Sequence, residues 1–246
     1  MSRTSPLMQD MSSEPTTVHL NDAELMLLPQ GALWWPAEGT LVVSDLHLEK
    51  GSSYASRGQL LPPYDTSATL KQVESLVADF GPKRVISLGD SFHDGEAEAR
   101  LADQDKARIR ALTGTVEWIW VEGNHDPEPP ASLGGIGETE LSIGGLVFCH
   151  EPLGKIGEVS GHLHPSAKVR ARGRAVRRRC FAVGQGIIIM PSLGAYTGGL
   201  NICDEAFMNV FEGVPDAYVL GETRVFKLDT RRLIPDTFRP GGLWSL

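Results

Sequence analysis

Short apolar runs rich in β-branched residues recur along the chain, and several end abruptly in polar clusters. Thr40-Leu41-Val42-Val43 runs into Ser44-Asp45-Leu46-His47, Arg84-Val85-Ile86-Ser87-Leu88 into Gly89-Asp90, and Trp118-Ile119-Trp120-Val121 into Gly123-Asn124-His125. Such runs predict buried strands that stop at polar loops. Between the first two, residues 66–80 set Leu70, Val73, Val77 and Phe80 on one helical face, with Asp65 or Thr66 available as N-cap and Gly81-Pro82 as the stop. Between the second and third, residues 96–112 are rich in Ala, Glu, Arg and Leu and end near Gly114, which predicts another helix. In an open α/β sheet, ligands gather outside the carboxyl ends of the strands. The three polar clusters are therefore expected to meet in space.

Beyond Gly134 the elements shorten. Residues 140–143 and 146–150 flank Gly144-Gly145, a two-residue hairpin signal. Further strands are expected at 168–171, 180–183, 187–190, 217–220 and 223–228, and no repeat of fixed period is visible. A helix-bearing first half and a strand-rich second half that share one crevice predict two packed sheets with helices outside.

Composition narrows this picture. The 246 residues are 41% hydrophobic and 22% charged, which excludes wholesale disorder and a membrane-embedded chain and favours one large domain. The longest apolar stretches, such as Ile187-Ile188-Ile189-Met190, fall far short of the roughly 20 residues of a membrane-spanning helix. Residues 1–17 are rich in Ser, Thr, Pro and Met without an apolar segment behind a basic start, so a disordered tail is expected there rather than a secretory signal. A single domain is expected over 18–230, and an irregular C-terminal tail over 231–246, where Pro235, Pro240 and Gly241-Gly242 fall. The three cysteines, Cys149, Cys180 and Cys203, are odd in number and lack Cys-x-x-Cys spacing. They support neither a disulfide framework nor a zinc ribbon, and a reducing cytoplasm fits them best.

The histidines carry the chemistry. Six of the seven sit in or beside polar strand ends, in the blocks Asp45-Leu46-His47, Gly123-Asn124-His125, His150 and Gly161-His162-Leu163-His164, with His93 shortly after Gly89-Asp90. On extended backbone, residues two apart share a face, so Asp-x-His and His-x-His each aim two donors into one pocket. Carboxylate, imidazole and amide oxygen without thiolate suit Mn, Fe or Zn, and seven donors exceed one tetrahedral site but match two ions sharing a carboxylate. Gly89, Gly123 and Gly161 permit the close backbone approach that such crowding needs. His19, remote from these blocks, reads as a structural histidine, Asp94 and Asp126 as loop carboxylates, and Cys149 as a buried strand residue.

The ordered blocks Asp-x-His, Gly-Asp, Gly-Asn-His, His and Gly-His-x-His resemble the calcineurin-like metallophosphoesterase superfamily over about residues 45–164. The resemblance implies a four-layer αββα sandwich, two mixed β-sheets flanked by helices. It assigns Asp45, His47 and His164 to one metal ion, Asn124, His150 and His162 to a second, and Asp90 to the bridge. It gives His125 a catalytic role without metal ligation. Gly-Asp-Ser-Phe-His-Asp, Gly-Asn-His-Asp, Gly-His-Leu-His-Pro followed by a basic stretch, and the segment from Pro191 to Gly199 resemble the bacterial DNA-ligase-associated phosphoesterases. That likeness implies a phosphodiesterase or endonuclease using two divalent ions, Mn foremost, in DNA repair beside an ATP-dependent ligase, a helicase and an exonuclease. The rival readings are a phosphomonoesterase, a small-molecule diesterase or pyrophosphatase, and a non-catalytic scaffold.

Charge first argues against such a partner, because 31 acidic against 23 basic residues leave a net charge of −8. The distribution reverses the argument locally. Seven of the twelve residues 168–179 are basic and none is acidic, and the alternation Lys168, Arg170, Arg172, Arg174 is expected to line one face of an extended strand. Following His164 closely, this stripe is placed beside the metals, where single-stranded or damaged DNA would be held through its phosphates. Arg177, Arg178 and Arg179 are the substrate-binding candidates within it. Tyr196 and His93 are further candidates for substrate contact, with a purely structural role as the alternative for His93.

Overall fold

The computed structural model describes residues 15–236 apart from 60, 129 and 172. Strands β1 (Thr16–Leu20), β2 (Ala23–Leu27), β3 (Leu33–Trp35) and β4 (Thr40–Ser44) form an antiparallel meander. To β4 are added, in parallel and in order, β5 (Arg84–Leu88), β6 (Glu117–Val121) and β7 (Ile136–Glu138). Helices α1 (Lys50–Ser56) and α2 (Asp65–Phe80) cross from β4 to β5, and α3 (Ala97–Arg100) and α4 (Asp103–Thr115) from β5 to β6.

The second sheet comprises β8 (Leu141–Ile143), β9 (Leu146–Cys149), β10 (Glu158–Ser160), β11 (Pro165–Ala171), β12 (Arg174–Gly184), β13 (Ile187–Ile189), β14 (Leu200–Asn201), β15 (Asp216–Leu220) and β16 (Val225–Leu228). Its main path runs β14-β11-β12-β13-β10-β9-β8, with β15 also pairing β12 and β16 pairing β15. Both sheets mix parallel and antiparallel neighbours. Helix α5 (Glu205–Phe211) follows β14 and is capped by Asp204, whose carboxylate accepts the Ala206 N–H.

Alternation along the strands builds the layers. In β4, Val42 faces the other sheet, sharing a core with Ile86, Val121, Phe148, Val159, Phe181 and Ile188. Its neighbours Leu41 and Val43 face outward onto Leu70, Val73 and Leu76 of α2 and Ile109 and Leu112 of α4. With both faces covered, all five residues of β4 are buried, as expected of a strand in a parallel array. On the far side, Cys180, Ala182, Ile187 and Ile189 pack beneath Phe207 and Phe211 of α5. Helices, sheet, sheet and helix stack in the expected four layers. Gly144 and Gly145, both at positive φ, turn the β8–β9 hairpin as their dipeptide signal predicts.

Five expectations need correction. Thr16 and Thr17 lie in β1, and the Thr16 hydroxyl donates to the Val225 carbonyl at 2.9 Å, so an N-terminal tail reaching residue 17 extends too far. Residues 1–14 lie outside the described residues. The helix expected over 96–112 is broken at Leu101 and Ala102, both extended, and α4 restarts with Asp103 and Asp105 in its first turn and runs past Gly114. The basic stretch is not one strand but a reversal: Gly173 is at positive φ, and Lys168 comes opposite Arg177. The start of the expected C-terminal tail is docked. Leu233 bridges Val169, the Ile234 N–H donates to the Lys168 carbonyl at 2.9 Å, and Asp236 ion-pairs with both Lys168 and Arg177. Residues 237–246 lie outside the described residues. His19, expected to be structural, projects exposed from β1 near Glu24.

Phe148, fully buried between the sheets, should be worth far more than an exposed apolar residue. Phe148→Ala is expected to lower unfolding free energy by about 3–5 kcal/mol. Ile136→Ala, at an exposed edge, should change it by no more than about 0.5 kcal/mol, both measured by urea denaturation.

Candidate metal centre

The polar clusters do converge, because sheet pairing continues past the strands. The His47 N–H donates to the Asp90 carbonyl at 2.8 Å, Leu48 to Ser91 at 2.9 Å and His93 to Leu48 at 3.0 Å, which carries the β4–β5 alignment into their loops. On the second sheet the Gly161 N–H donates to the His150 carbonyl at 3.0 Å. Sheet one thus delivers Asp45, His47, Asp90 and Asn124. Sheet two delivers His150, His162 and His164.

Their backbone is strained. Among the described residues nine non-glycine residues have positive φ, and five of these are Asp45, His47, Asp90, His162 and His164. Side chains other than glycine adopt that region rarely, and clusters of them mark functional sites. Close approach adds to the crowding: a Cβ at Gly123 would strike the Asp90 backbone nitrogen, and one at Gly161 would strike the Ser44 hydroxyl.

Two donor groups result, joined by Asp90. Donor atoms of Asp45, His47, Asp90 and His164 lie within 4.8 Å of one another, and so do those of Asp90, His150 and His162. In the first, His164 Nε2 is 3.0 Å from Asp45 Oδ1, and His47 Nε2 is 3.4 Å from His164 Nε2 and 3.7 Å from Asp90 Oδ2. In the second, His150 Nε2 is 3.4 Å from Asp90 Oδ1, 3.2 Å from His162 Nδ1 and 2.9 Å from Asn124 Oδ1, which is itself 3.0 Å from His162 Nδ1. His150 Nδ1–H donates to the Leu88 carbonyl at 3.0 Å, so its Nε2 presents a lone pair to the cluster.

These groups fit divalent cations on the chemistry of the donors alone. A lone-pair nitrogen facing an amide oxygen at 2.9 Å is repulsive unless positive charge lies between them. Burial also disfavours the charged form of two of the imidazoles: it pushes His47 down to about 2 despite the Asp45 carboxylate, and it lowers His162, helped by His150. Burial alone would raise Asp45, but His164, His150 and His47 around it hold its carboxyl well below the usual range. The Ser44 hydroxyl, 2.5 Å from Asp45 Oδ2, and the His162 N–H fix that carboxylate.

His125 stands at the rim without joining either group. Its N–H donates to Asp90 Oδ1 at 3.0 Å, its Nδ1–H donates to the His93 carbonyl at 2.9 Å, and its Nε2 is 3.9 Å from Asp90 Oδ2. His93 stacks on it with ring centroids 5.3 Å apart. Asp126 accepts the Ser91 and Phe92 N–H groups at 2.8 and 3.0 Å, and burial pushes its carboxyl up to about 7. Asp94 accepts from Arg100 and from the Glu96 N–H. Cys149 is buried, with burial pushing its thiol up to about 12.

The basic candidates separate in space. Arg179 is drawn inward, donating to the carbonyls of Ser192 at 3.0 Å and Gly194 at 2.8 Å. That loop in turn grips the centre, since the Gly194 N–H and the Ser192 hydroxyl both donate to the Asp45 carbonyl, at 3.1 and 2.7 Å. Arg177 donates to the Gly199 carbonyl and pairs with Asp236. Arg178 is exposed and, among the described residues, hydrogen-bonds only to the Arg177 carbonyl, at 3.3 Å. Tyr196 donates its hydroxyl to the Pro62 carbonyl at 2.8 Å, tying this loop to the α1–α2 connection. Ser44 and Ser192 were not legible beforehand, because a serine in a loop carries no signal of the carbonyl or carboxylate it will meet.

The family model for calcineurin-like phosphoesterases matches residues 40–177. The chain belongs to the calcineurin-like phosphoesterase family. It is thus a metal-dependent phosphoesterase, and its donor clusters form this family member's candidate metal site. Among solved structures this phosphoesterase is similar to the nuclease MPE of Pseudomonas putida, with 26% sequence identity and a TM-score of 0.66 over 87% of this chain and 100% of that one. It also matches Yfce, a phosphoesterase from E. coli, at 15% identity and a TM-score of 0.39, over 77% of this chain and 97% of that one. None of the curated proteins compared with it matches. Among the described residues, no helix is long and apolar enough to cross a membrane.

Arg179 and Arg178 should differ sharply when removed. Arg179→Ala leaves buried carbonyls unpaired and is expected to cost about 2–4 kcal/mol of stability. Arg178→Ala should cost no more than about 0.5 kcal/mol in the same urea titration.

Proposed function

We propose that this phosphoesterase is a dinuclear-metal phosphodiesterase that cleaves DNA. The observation that carries the reading is the pair of donor clusters sharing Asp90, with His125 at their rim. One cluster would hold an ion through Asp45, His47, Asp90 and His164, the other through Asp90, Asn124, His150 and His162. Mn, Fe or Zn suit this oxygen and imidazole set, and the resemblance to the ligase-associated phosphoesterases favours Mn among them. Divalent ions bound there supply positive charge to the phosphoryl oxygens and activate the attacking water.

The remaining steps fall to the chain. Because Nδ1 of His125 is committed to the His93 carbonyl, Nε2 is the atom that faces substrate. Protonated there, His125 would stabilise charge developing on the phosphoryl group and donate a proton to the leaving oxygen. Its stacking on His93 fixes the ring plane in the absence of substrate.

DNA as substrate is supported by the likeness to the Pseudomonas putida nuclease and by the basic hairpin. Arg170, Arg174 and Arg178 are exposed on β11 and β12 and take part in no carboxylate pair among the described residues. Arg177 and Lys168 share the single carboxylate of Asp236, so even the paired part keeps positive charge. A phosphate backbone laid along this hairpin would release counterions. On the same reading, the enzyme works in the cytoplasm in DNA repair, beside an ATP-dependent ligase, a helicase and an exonuclease.

Hydrolysis of single-stranded DNA, a bis-aryl diester and an aryl monoester, with Mn and with chelator, tests the proposal. Metal-dependent cleavage of DNA and diester is expected; activity confined to the monoester would overturn it. His125→Asn should keep its metal content by elemental analysis while turnover falls about 10²–10⁴-fold. Full activity in that variant would remove His125 from the mechanism. Mn at about a hundredfold above its dissociation constant should raise the melting temperature by about 5–10 °C. Asp90→Asn should lose most of that rise, because it removes the carboxylate both clusters share.

A further inference from the structure

The basic hairpin borders one side of the centre; α1 borders another. This helix leaves the His47 loop through Glu49, whose φ is 65°, and is locked onto α2 at its start. The Glu49 N–H donates to the Thr66 hydroxyl at 2.8 Å, that hydroxyl donates to Glu49 Oε1 at 2.8 Å, and the Gly51 N–H donates to Asp65 Oδ2 at 2.8 Å. Gly51 sits so close that a Cβ there would lie 2.6 Å from Asp65 Oδ1. A seven-residue helix is thereby fastened to α2 directly behind the His47 loop.

What it presents is unused by the mechanism above. Lys50 and Tyr54 are four residues apart and Arg57 follows at the C-cap, so all three fall on one face. The Tyr54 ring is 5.9 Å from that of His93, with an interplanar angle of 30°, and His93 in turn stacks on His125. Tyr54, His93 and His125 form a graded row of rings that starts at the reacting centre and ends half-exposed. The Tyr54 hydroxyl has no hydrogen-bond partner among the described residues, so the ring is not held there by its polar end. Lys50 is half-buried, and no carboxylate pairs with it among the described residues; Asp65 and Asp90 act on it from farther away.

We infer that α1 is a nucleotide-holding wall: Tyr54, continuing the His93 stack, packs on the base beside the scissile linkage, and Lys50 neutralises the neighbouring phosphate. The inference rests on the DNA reading above and names how that substrate is gripped. An aromatic platform with a cation beside it is a common way to hold single-stranded nucleic acid without reading its sequence. Arg57, farther along the same face, would extend the track to a more distant phosphate.

The test uses the Mn-loaded enzyme and single-stranded oligonucleotides, with cleavage read linkage by linkage. In one probe the nucleotide beside a given linkage is abasic; in another the neighbouring phosphate is an uncharged methylphosphonate. Wild type should cut beside the abasic unit about tenfold less efficiently than in the intact strand. Tyr54→Ala should lose about tenfold on the intact strand and no longer distinguish the abasic unit, while Tyr54→Phe retains both properties. Lys50→Met should raise KM with little change in kcat and become indifferent to the methylphosphonate, with Lys50→Arg restoring the wild-type pattern. If Tyr54→Ala is slowed but pays the same abasic penalty as wild type, or if wild type shows no penalty, the wall is overturned while the nuclease reading stands. If wild type hydrolyses the bis-aryl diester and no oligonucleotide at all, the nuclease reading fails and takes the wall with it.

Discussion

The structure turns on one electrostatic constraint: lone pairs and carboxylates are packed together where, among the described residues, no lysine or arginine pairs with them. Asp45, His47, Asp90 and His150 are almost completely buried, and around them His162, His164 and Asn124 aim more acceptors at the same space. No lysine or arginine forms an ion pair with these carboxylates among the described residues, and burial holds His47 neutral. Buried like-natured donors at such distances are tolerated only when positive charge sits between them. Everything near the site serves to hold this arrangement. Five donor residues are kept at positive φ, each at a cost on the order of 1–3 kcal/mol, and such strain persists only where the surroundings over-determine it. The surroundings here are β4, β5 and β6 in parallel register, the bridge from Leu48 to Phe92, and the loop held by Arg179.

Arg179 shows how readily a charge pattern is misread from residue order alone. In the sequence it is the last member of a basic run and resembles its neighbours. In the fold, alternation along β12 separates it from Arg178, and the antiparallel register with β11 brings it opposite Ser166, at the base of the hairpin near His164. There its guanidinium, part-buried, meets the carbonyls of a loop. The reversal at Gly173 likewise converts an expected linear stripe into two short basic edges, and Asp236 from the C-terminal segment neutralises part of one. The acidic body with a local basic surface survives, but its positive end is the exposed hairpin of Arg170, Arg174 and Arg178.

The site was legible where its information is local. Asp45 and His47 are two residues apart at the end of an apolar run, and His162 and His164 are two apart behind a glycine, so residue type and spacing coincide within a few residues. The Gly144-Gly145 hairpin and the α2 face were legible for the same reason. The unread features depend on distant partners. The break before α4 turns on two extended residues, Leu101 and Ala102, that have no glycine or proline to announce it. Lys50 and Tyr54 sit in an unremarkable run of small residues, and only the Glu49–Thr66 and Gly51–Asp65 contacts place that run over the centre. Strand β1 begins in a Ser/Thr-rich stretch whose apolar alternation, Val18 and Leu20, is too short to stand out until β2 pairs with it.

The division of donors between the sheets has a mechanical consequence. Sheet one supplies Asp45, His47, Asp90 and Asn124; sheet two supplies His150, His162 and His164, and each cluster draws from both. Between the sheets lies an apolar core of Val42, Ile86, Phe148, Phe181 and Ile188, which fixes their separation but offers little directional resistance to sliding. Directional bonds across the open end come from the second sheet's His162 N–H to Asp45, from Ser192 to the Asp45 carbonyl, and from His150 to the Leu88 carbonyl. Ions held by both clusters would add bonds of the same kind at the same end. The register that positions the reacting groups and the register that packs the core are then one degree of freedom, so loss of the donors loosens the two sheets where substrate must bind.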